Sequence, residues 1–212
     1  MKLETVTAYG SFVKRNGHIF RTSAYLQWGD STDSLGACLL LNPGSARLIE
    51  GLDRELDSQG LAEGEIKMDP TMESQLVKIV ERIHQQNGQL SGRFYIYNLF
   101  NLREGKSEKA INDFETLCGS NLYNIEDSLA SVEELKQHPW ILLGWGVNKK
   151  QRWIHLQTSK ERWLHRLSQA QIPIIGKLKV ENGEYYHPLP RLVKNRAGYI
   201  EDILKQYQQQ NG

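Results

Sequence analysis

Four short segments hold side chains suited to chemistry, and each follows an apolar run. The first is Asn42-Pro43-Gly44-Ser45. The Asn42 amide can hold a water through its oxygen, but an amide is a poor general base, so water activation there would be weak. A turn-stabilising asparagine is the equal alternative. Gly44 permits close backbone approach, and Ser45 can donate to a phosphate. The second is Asn98, closing the run RFYIYN. Its one donor and one acceptor match the polar edge of a planar heterocycle, or cap the next turn. Tyr97 or Phe100 can stack on such a ligand, although strand aromatics are commonly core. The third is the basic stretch GWGVNKKQR, where Lys149, Lys150 and Arg152 are either phosphate contacts or a solvated helix face. The fourth is His187-Pro188-Leu189-Pro190, followed by Arg191, Lys194 and Arg196. A neutral imidazole on a proline-bounded loop can donate to an oxygen that gains negative charge, or it can serve loop carbonyls. Asp69 stands apart. Helix capping is its first expectation, but if it faces the other groups it supplies the carboxylate that Asn42 lacks.

These segments need a scaffold that brings strand ends together. The chain has 212 residues, enough for one domain with a real core, so 1–212 is read as a single unit. Asn16-Gly17, between aromatic and β-branched residues, predicts a hairpin within residues 1–34. ACLLLN (37–42), RFYIYNLFNL (93–102), HPWILLGWG (138–146) and the IPIIG region read as buried strands. Residues 45–68 are mixed, with glycines at 51, 60 and 64, and read as an irregular excursion over the sheet. The segment after Asp69 has a clean helix pattern: Pro70 at the first turn, an apolar face of Leu76, Ile79, Val80 and Ile83, and an Asn87-Gly88 stop. Residues 147–170 predict a helix with Trp153, Leu156, Trp163, Leu164 and Leu167 inward, and a further helix closes the chain. Strands alternating with helices predict an α/β fold: three layers, α/β/α, around a central, mostly parallel four-stranded sheet, with the N-terminal β-hairpin packed on it. In such sheets ligands bind beyond the carboxyl ends of the strands, which would gather all four segments on one rim.

Composition narrows the partners. Net charge is +1, so there is no global basic signature for nucleic acid, and any such binding must come from local patches. No apolar run approaches membrane-spanning length, and the first ten residues lack an apolar signal stretch, so a cytoplasmic protein with no membrane association is expected. Cys38 and Cys118 read as separate buried thiols, and no Cys/His cluster has zinc spacing.

In order and spacing the four exits resemble the uracil-DNA glycosylase superfamily over roughly residues 35–205. LLLNPGSA resembles its first strand and Asn-Pro-Gly turn, YIYN its base-reading asparagine strand, WILLGWGVNKK its third strand, and YYHPLPR its His-Pro-Ser-Pro loop. The hairpin and the 45–75 segment are more similar to a bacterial and phage domain family with LNPS-type and HPL-type motifs. This chain departs from the superfamily pattern in three places. It lacks the glycine two residues before Asn42, has Asn42 where the fastest uracil enzymes have Asp, and has Leu189 for the motif serine.

The resemblance implies a monofunctional DNA glycosylase that flips out a nucleotide, hydrolyses its N-glycosidic bond and leaves an abasic site, without metal or cofactor. The departures point away from uracil toward a non-standard or modified pyrimidine, such as one in phage DNA, and so toward antiphage defence. On this reading Asn42, His187 and Asp69 are catalytic, and Asn98, Tyr97 and Phe100 bind the base. Pro43, Gly44, Ser45, Pro188, Leu189 and Pro190 pinch the DNA backbone. Arg191 takes the position that fills the gap left by the flipped base, and Lys149, Lys150, Lys194 and Arg196 bind phosphates. DNA is the expected partner and a monomer the expected state. Two alternatives stay open: a non-catalytic nucleic-acid or nucleotide binding module on the same scaffold, and a hydrolase of free nucleosides.

Overall fold

Asn16 and Gly17 both have positive φ, 51° and 76°, the geometry of a two-residue hairpin turn. They join β1 (Thr7–Arg15) to β2 (His18–Trp28). In the computed structural model, which describes residues 6–85 and 89–211, this hairpin is not an appendage. It is part of an eight-stranded sheet with β3 (Ser34–Leu40), β4 (Arg47–Leu48), β5 (Leu61–Lys67), β6 (Gly92–Asn98), β7 (Ile141–Gly144) and β8 (Ile174–Ile175), in the order β4-β5-β1-β2-β6-β3-β7-β8. The β4–β5, β5–β1, β1–β2 and β2–β6 pairs are antiparallel, and the β6–β3, β3–β7 and β7–β8 pairs are parallel.

The expectation of a four-stranded, mostly parallel centre with a separate hairpin is therefore overturned, although the α/β class stands. The physical reason is pairing. β2 hydrogen-bonds to β6 through Tyr25–Trp28, which fuses the hairpin to the sheet, and the 45–68 excursion contributes two more strands. Buried Ala62 and Ile66 alternate with exposed residues in β5 as a half-buried strand requires.

Helices cover both faces, and alternation along each strand assigns the residues. Cys38, Leu40, Leu142, Phe94 and Ile96 pack under α1 (Glu50–Gln59), α2 (Val77–His84) and α6 (Arg196–Asn211). Ala37, Leu39, Ile141 and Leu143 pack on the other side with α3 (Ser107–Gly119), α4 (Val132–Leu135) and α5 (Ile154–Ala170). Trp153, Leu156, Trp163 and Leu167 are buried, but Leu164 is exposed, contrary to expectation, because it falls on the outer side of α5. The Asn87-Gly88 stop lies outside the described residues. No helix among the described residues is long and apolar enough to cross a membrane.

Candidate functional site

The parallel strands end in register. Leu40 at the end of β3 pairs with Asn98 on one side and Gly144 on the other. The His187 loop closes on this line: a Cβ on Gly144 would lie 2.6 Å from Pro188 Cδ, so only glycine allows the loop to seat. The loop is delivered by a small hairpin of β9 (Leu178–Lys179) and β10 (Glu184–Tyr185). Glu184 is anchored by Lys160 Nζ at 2.7–2.8 Å and by Trp145 Nε1 at 2.6 Å, all three side chains being buried.

His187 has a defined tautomer. The Leu189 N–H donates to its Nδ1 at 3.2 Å, so the neutral ring carries its hydrogen on Nε2. Burial lowers its pKa, and the Asp69 carboxylate opposes that shift. The imidazole is therefore a neutral donor at pH 7.

Asp69 caps its helix, as expected, and also faces the Gly44 turn. One oxygen accepts from the Thr71 and Met72 N–H groups at 2.9 and 3.0 Å and caps the helix. The other lies 3.5 Å from where a Gly44 Cβ would stand, so the glycine turn and the carboxylate touch. The charge of Asp69 acts on His187, Arg21 and Cys38.

The sequence does not single out Arg21. Trp28, Leu26 and Ala24 point to the α2/α6 face, so period-two alternation would leave Arg21 on the opposite face. The register instead steps from Ser11–Ser23 to Phe12–Arg21, leaving Thr22 as the extra residue of a bulge. The bulge reverses the alternation. Phe20 joins the α3/α5 core, and Arg21 is buried at 3 % exposure beside β6. One of its nitrogens, Nη2, donates to Asn98 Oδ1 at 2.8 Å. Burial lowers its pKa to about 10, with Asp69 opposing, so it stays charged at pH 7. The Asn16-Gly17 turn announces the hairpin in the sequence but does not locate the bulge.

Asn98 belongs to this corner, but with one role removed: its oxygen is held by Arg21, so it presents only its Nδ2 donor, which is buried without a partner. Tyr97 and Phe100 are corrected. Neighbours on a strand face opposite ways, so Tyr97 points into the other layer, bonded to His138 at 2.8 Å. Phe100 is fully buried and stacks on Phe114 at 4.4 Å. Neither can stack on a ligand beside Asn98. Asn42 takes the turn-stabilising alternative through its Nδ2. Its Nδ2 donates to the Leu102 and Glu104 carbonyls at 3.2 and 2.8 Å, strapping the NPGS turn to the next exit. It is Asp69 rather than Asn42 whose charge reaches His187. Pro43 and Pro188 are buried, Ser45 is exposed near Gly105, and Leu189 and Pro190 are partly exposed.

The cations fall into two groups. Lys150 and Arg152 pair with Glu108 of α3, and Lys149 and Lys150 border a cavity of about 340 Å³ beside the start of α5. Arg191 and Lys194 are exposed and make no ion pair among the described residues, while Arg196 Nε donates to the Pro190 carbonyl at 3.4 Å and braces the loop. Between them Leu192 and Val193 are 58 % and 70 % exposed. Among the described residues no group of three or more His, Cys, Asp or Glu side chains is arranged to hold a metal ion.

No curated protein and no solved structure matches the chain. One family model does, described as "Protein of unknown function (DUF1643)", and its span includes Asp69, Asn98 and His187. Because that match runs over residues 61–189, more than half of the 212 residues, the chain belongs to the DUF1643 family.

Proposed function

We propose that this chain is a DNA glycosylase that draws an everted, non-standard pyrimidine nucleotide to the rim between Asp69, Asn98 and His187 and hydrolyses its N-glycosidic bond. The observation that carries this reading is geometric: Leu40 lines up Asn98 and Gly144 at the strand ends, and Pro188 packed on Gly144 sets the neutral Nε2–H donor of His187 on the same line. Breaking the C1′–N bond sends its electrons into the base, and His187 Nε2–H donates to the base oxygen on which the charge builds. The sugar gains oxocarbenium character, which the free Asp69 oxygen stabilises. That same oxygen accepts a proton as water adds to C1′, and solvent protonates the departing base. The Asn98 Nδ2 donor, fixed in orientation by Arg21, suits a base carbonyl. The Leu192–Val193 tip, flanked by Arg191 and Lys194, has the character of an apolar wedge that holds a duplex open beside an everted nucleotide.

The test is a set of duplexes, each with one uracil or one 5-substituted pyrimidine, incubated with the protein and cleaved with alkali at abasic sites. Strand scission on at least one duplex, reduced about 100- to 10,000-fold by His187→Ala, is expected. A folded protein that leaves every duplex intact overturns the proposal. The net charge of +1 favours the second reading, a binding module. On that reading His187→Ala weakens binding and there is no turnover to lose.

A further inference from the structure

The guanidinium of Arg21 is more than a brace for Asn98. Of its three nitrogens, only Nη2 has a partner; Nε and Nη1 are buried and unpaired. The adjoining Asn98 Nδ2 is likewise buried and unpaired. Among the described residues Arg21 makes no salt bridge. The Cys38 thiol beside it supplies no counter-charge, because burial pushes its pKa up and keeps it protonated. Asp69 contributes a field but spends one oxygen on its helix cap. A buried cation with unpaired donors is unfavourable, and a hydrogen-bonded counter-ion offsets part of that cost. Water can accept from these donors but brings no charge.

All the unpaired atoms of this Arg21–Asn98 pair are donors, so their complement is acceptor-only and negative. The bulge at Thr22, which turns Arg21 inward, is the local device that creates the arrangement.

We propose that the Arg21 corner binds an oxyanion, a phosphate or a carboxylate, with Arg21 as its receptor. This goes beyond base release: a chain that excises nothing from DNA can still bind the anion, and a glycosylase for neutral bases need not. Two sources fit the chemistry, the phosphate of a nucleotide and a carboxylate borne by the base itself.

Calorimetric titration of the full chain with inorganic phosphate, 5-carboxyuracil and uracil separates them. At least one of the two anions is expected to bind ten-fold or more tightly than uracil, and which one does so names the source. Arg21→Gln removes the charge while keeping a donor for Asn98, and it is expected to cost the anion at least ten-fold in affinity and uracil little. Anion binding no tighter than uracil in the wild-type chain overturns the proposal, and so does undiminished anion binding by folded Arg21→Gln. If that variant does not fold, the wild-type comparison alone decides.

Discussion

Replacing Asp69 with asparagine separates its two jobs. The cap survives, because an asparagine oxygen can still accept from the Thr71 and Met72 N–H groups, and Asn ranks with Asp at this position. The charge lost at the helix N-terminus is worth about 0.3–1 kcal/mol, roughly 1–4 °C in Tm for a domain of this size, and the loss of its field on the buried Arg21 guanidinium adds to that. The chemistry loses its only carboxylate, which is expected to lower the rate of base release about 100- to 10,000-fold, or about 3–5 kcal/mol of transition-state stabilisation. A third readout needs no substrate. Asp69 raises the pKa of His187 against the effect of burial, so Asp69→Asn is expected to move the NMR titration of His187 to lower pH. Thermal melting, single-turnover base release and the His187 ring proton shifts are measured on the same protein. Turnover within three-fold of wild type, together with an unmoved His187 titration, refutes the reasoning and reduces Asp69 to a cap.

Three further outcomes are expected. His138, bonded to Ser34 and Tyr97, has its pKa lowered from 6.5 to about 4 by burial. Between those values the unfolded chain binds the proton that the folded chain refuses. Stability is thus full above about pH 6.5 and falls by about 3 kcal/mol as pH drops toward 4; urea unfolding across that window should show this slope diminished in His138→Gln. Gly144→Ala drives a methyl group into Pro188, so it is expected to cost about 1–3 kcal/mol in urea unfolding and to slow any His187-dependent turnover, whereas neutral behaviour contradicts the tight seating of the loop. Lys160→Met leaves Glu184 buried with Trp145 as its remaining side-chain partner and is expected to cost about 3–5 kcal/mol, most of which Lys160→Met with Glu184→Leu recovers; equal losses in the single and double variants would contradict the reading.

Features set by local chemistry were legible in the sequence. Asn16-Gly17 announces its turn, Asp69-Pro70 its helix start, and the apolar runs ending at Leu40, Asn98 and Gly144 their strands. Features set by pairing were not. β5 is written LAEGEIK, where a small Ala62 and Gly64 stand at inward positions, so its alternation is faint until β1 lies beside it. Arg21 reads as a surface residue of a hairpin, because the bulge that turns it inward exists only in the register of two strands. Asn42 and Asn98 look equivalent in sequence, each closing an apolar run. Their difference lies in what comes near: loop carbonyls for one, a guanidinium for the other. Tyr97 and Phe100 suit a stacking role by residue type alone, but strand parity and a stacked Phe114 place them in the opposite core.

The central claim is that the rim formed by Asp69, Asn98 and His187 releases a base. Mass spectrometry of the small molecules set free from a panel of genomic DNAs with different natural modifications tests it most directly, with His187→Ala run in parallel. The account predicts a free pyrimidine from at least one DNA, absent from the His187→Ala digest. No free base from any DNA, or equal release by wild type and His187→Ala, contradicts it.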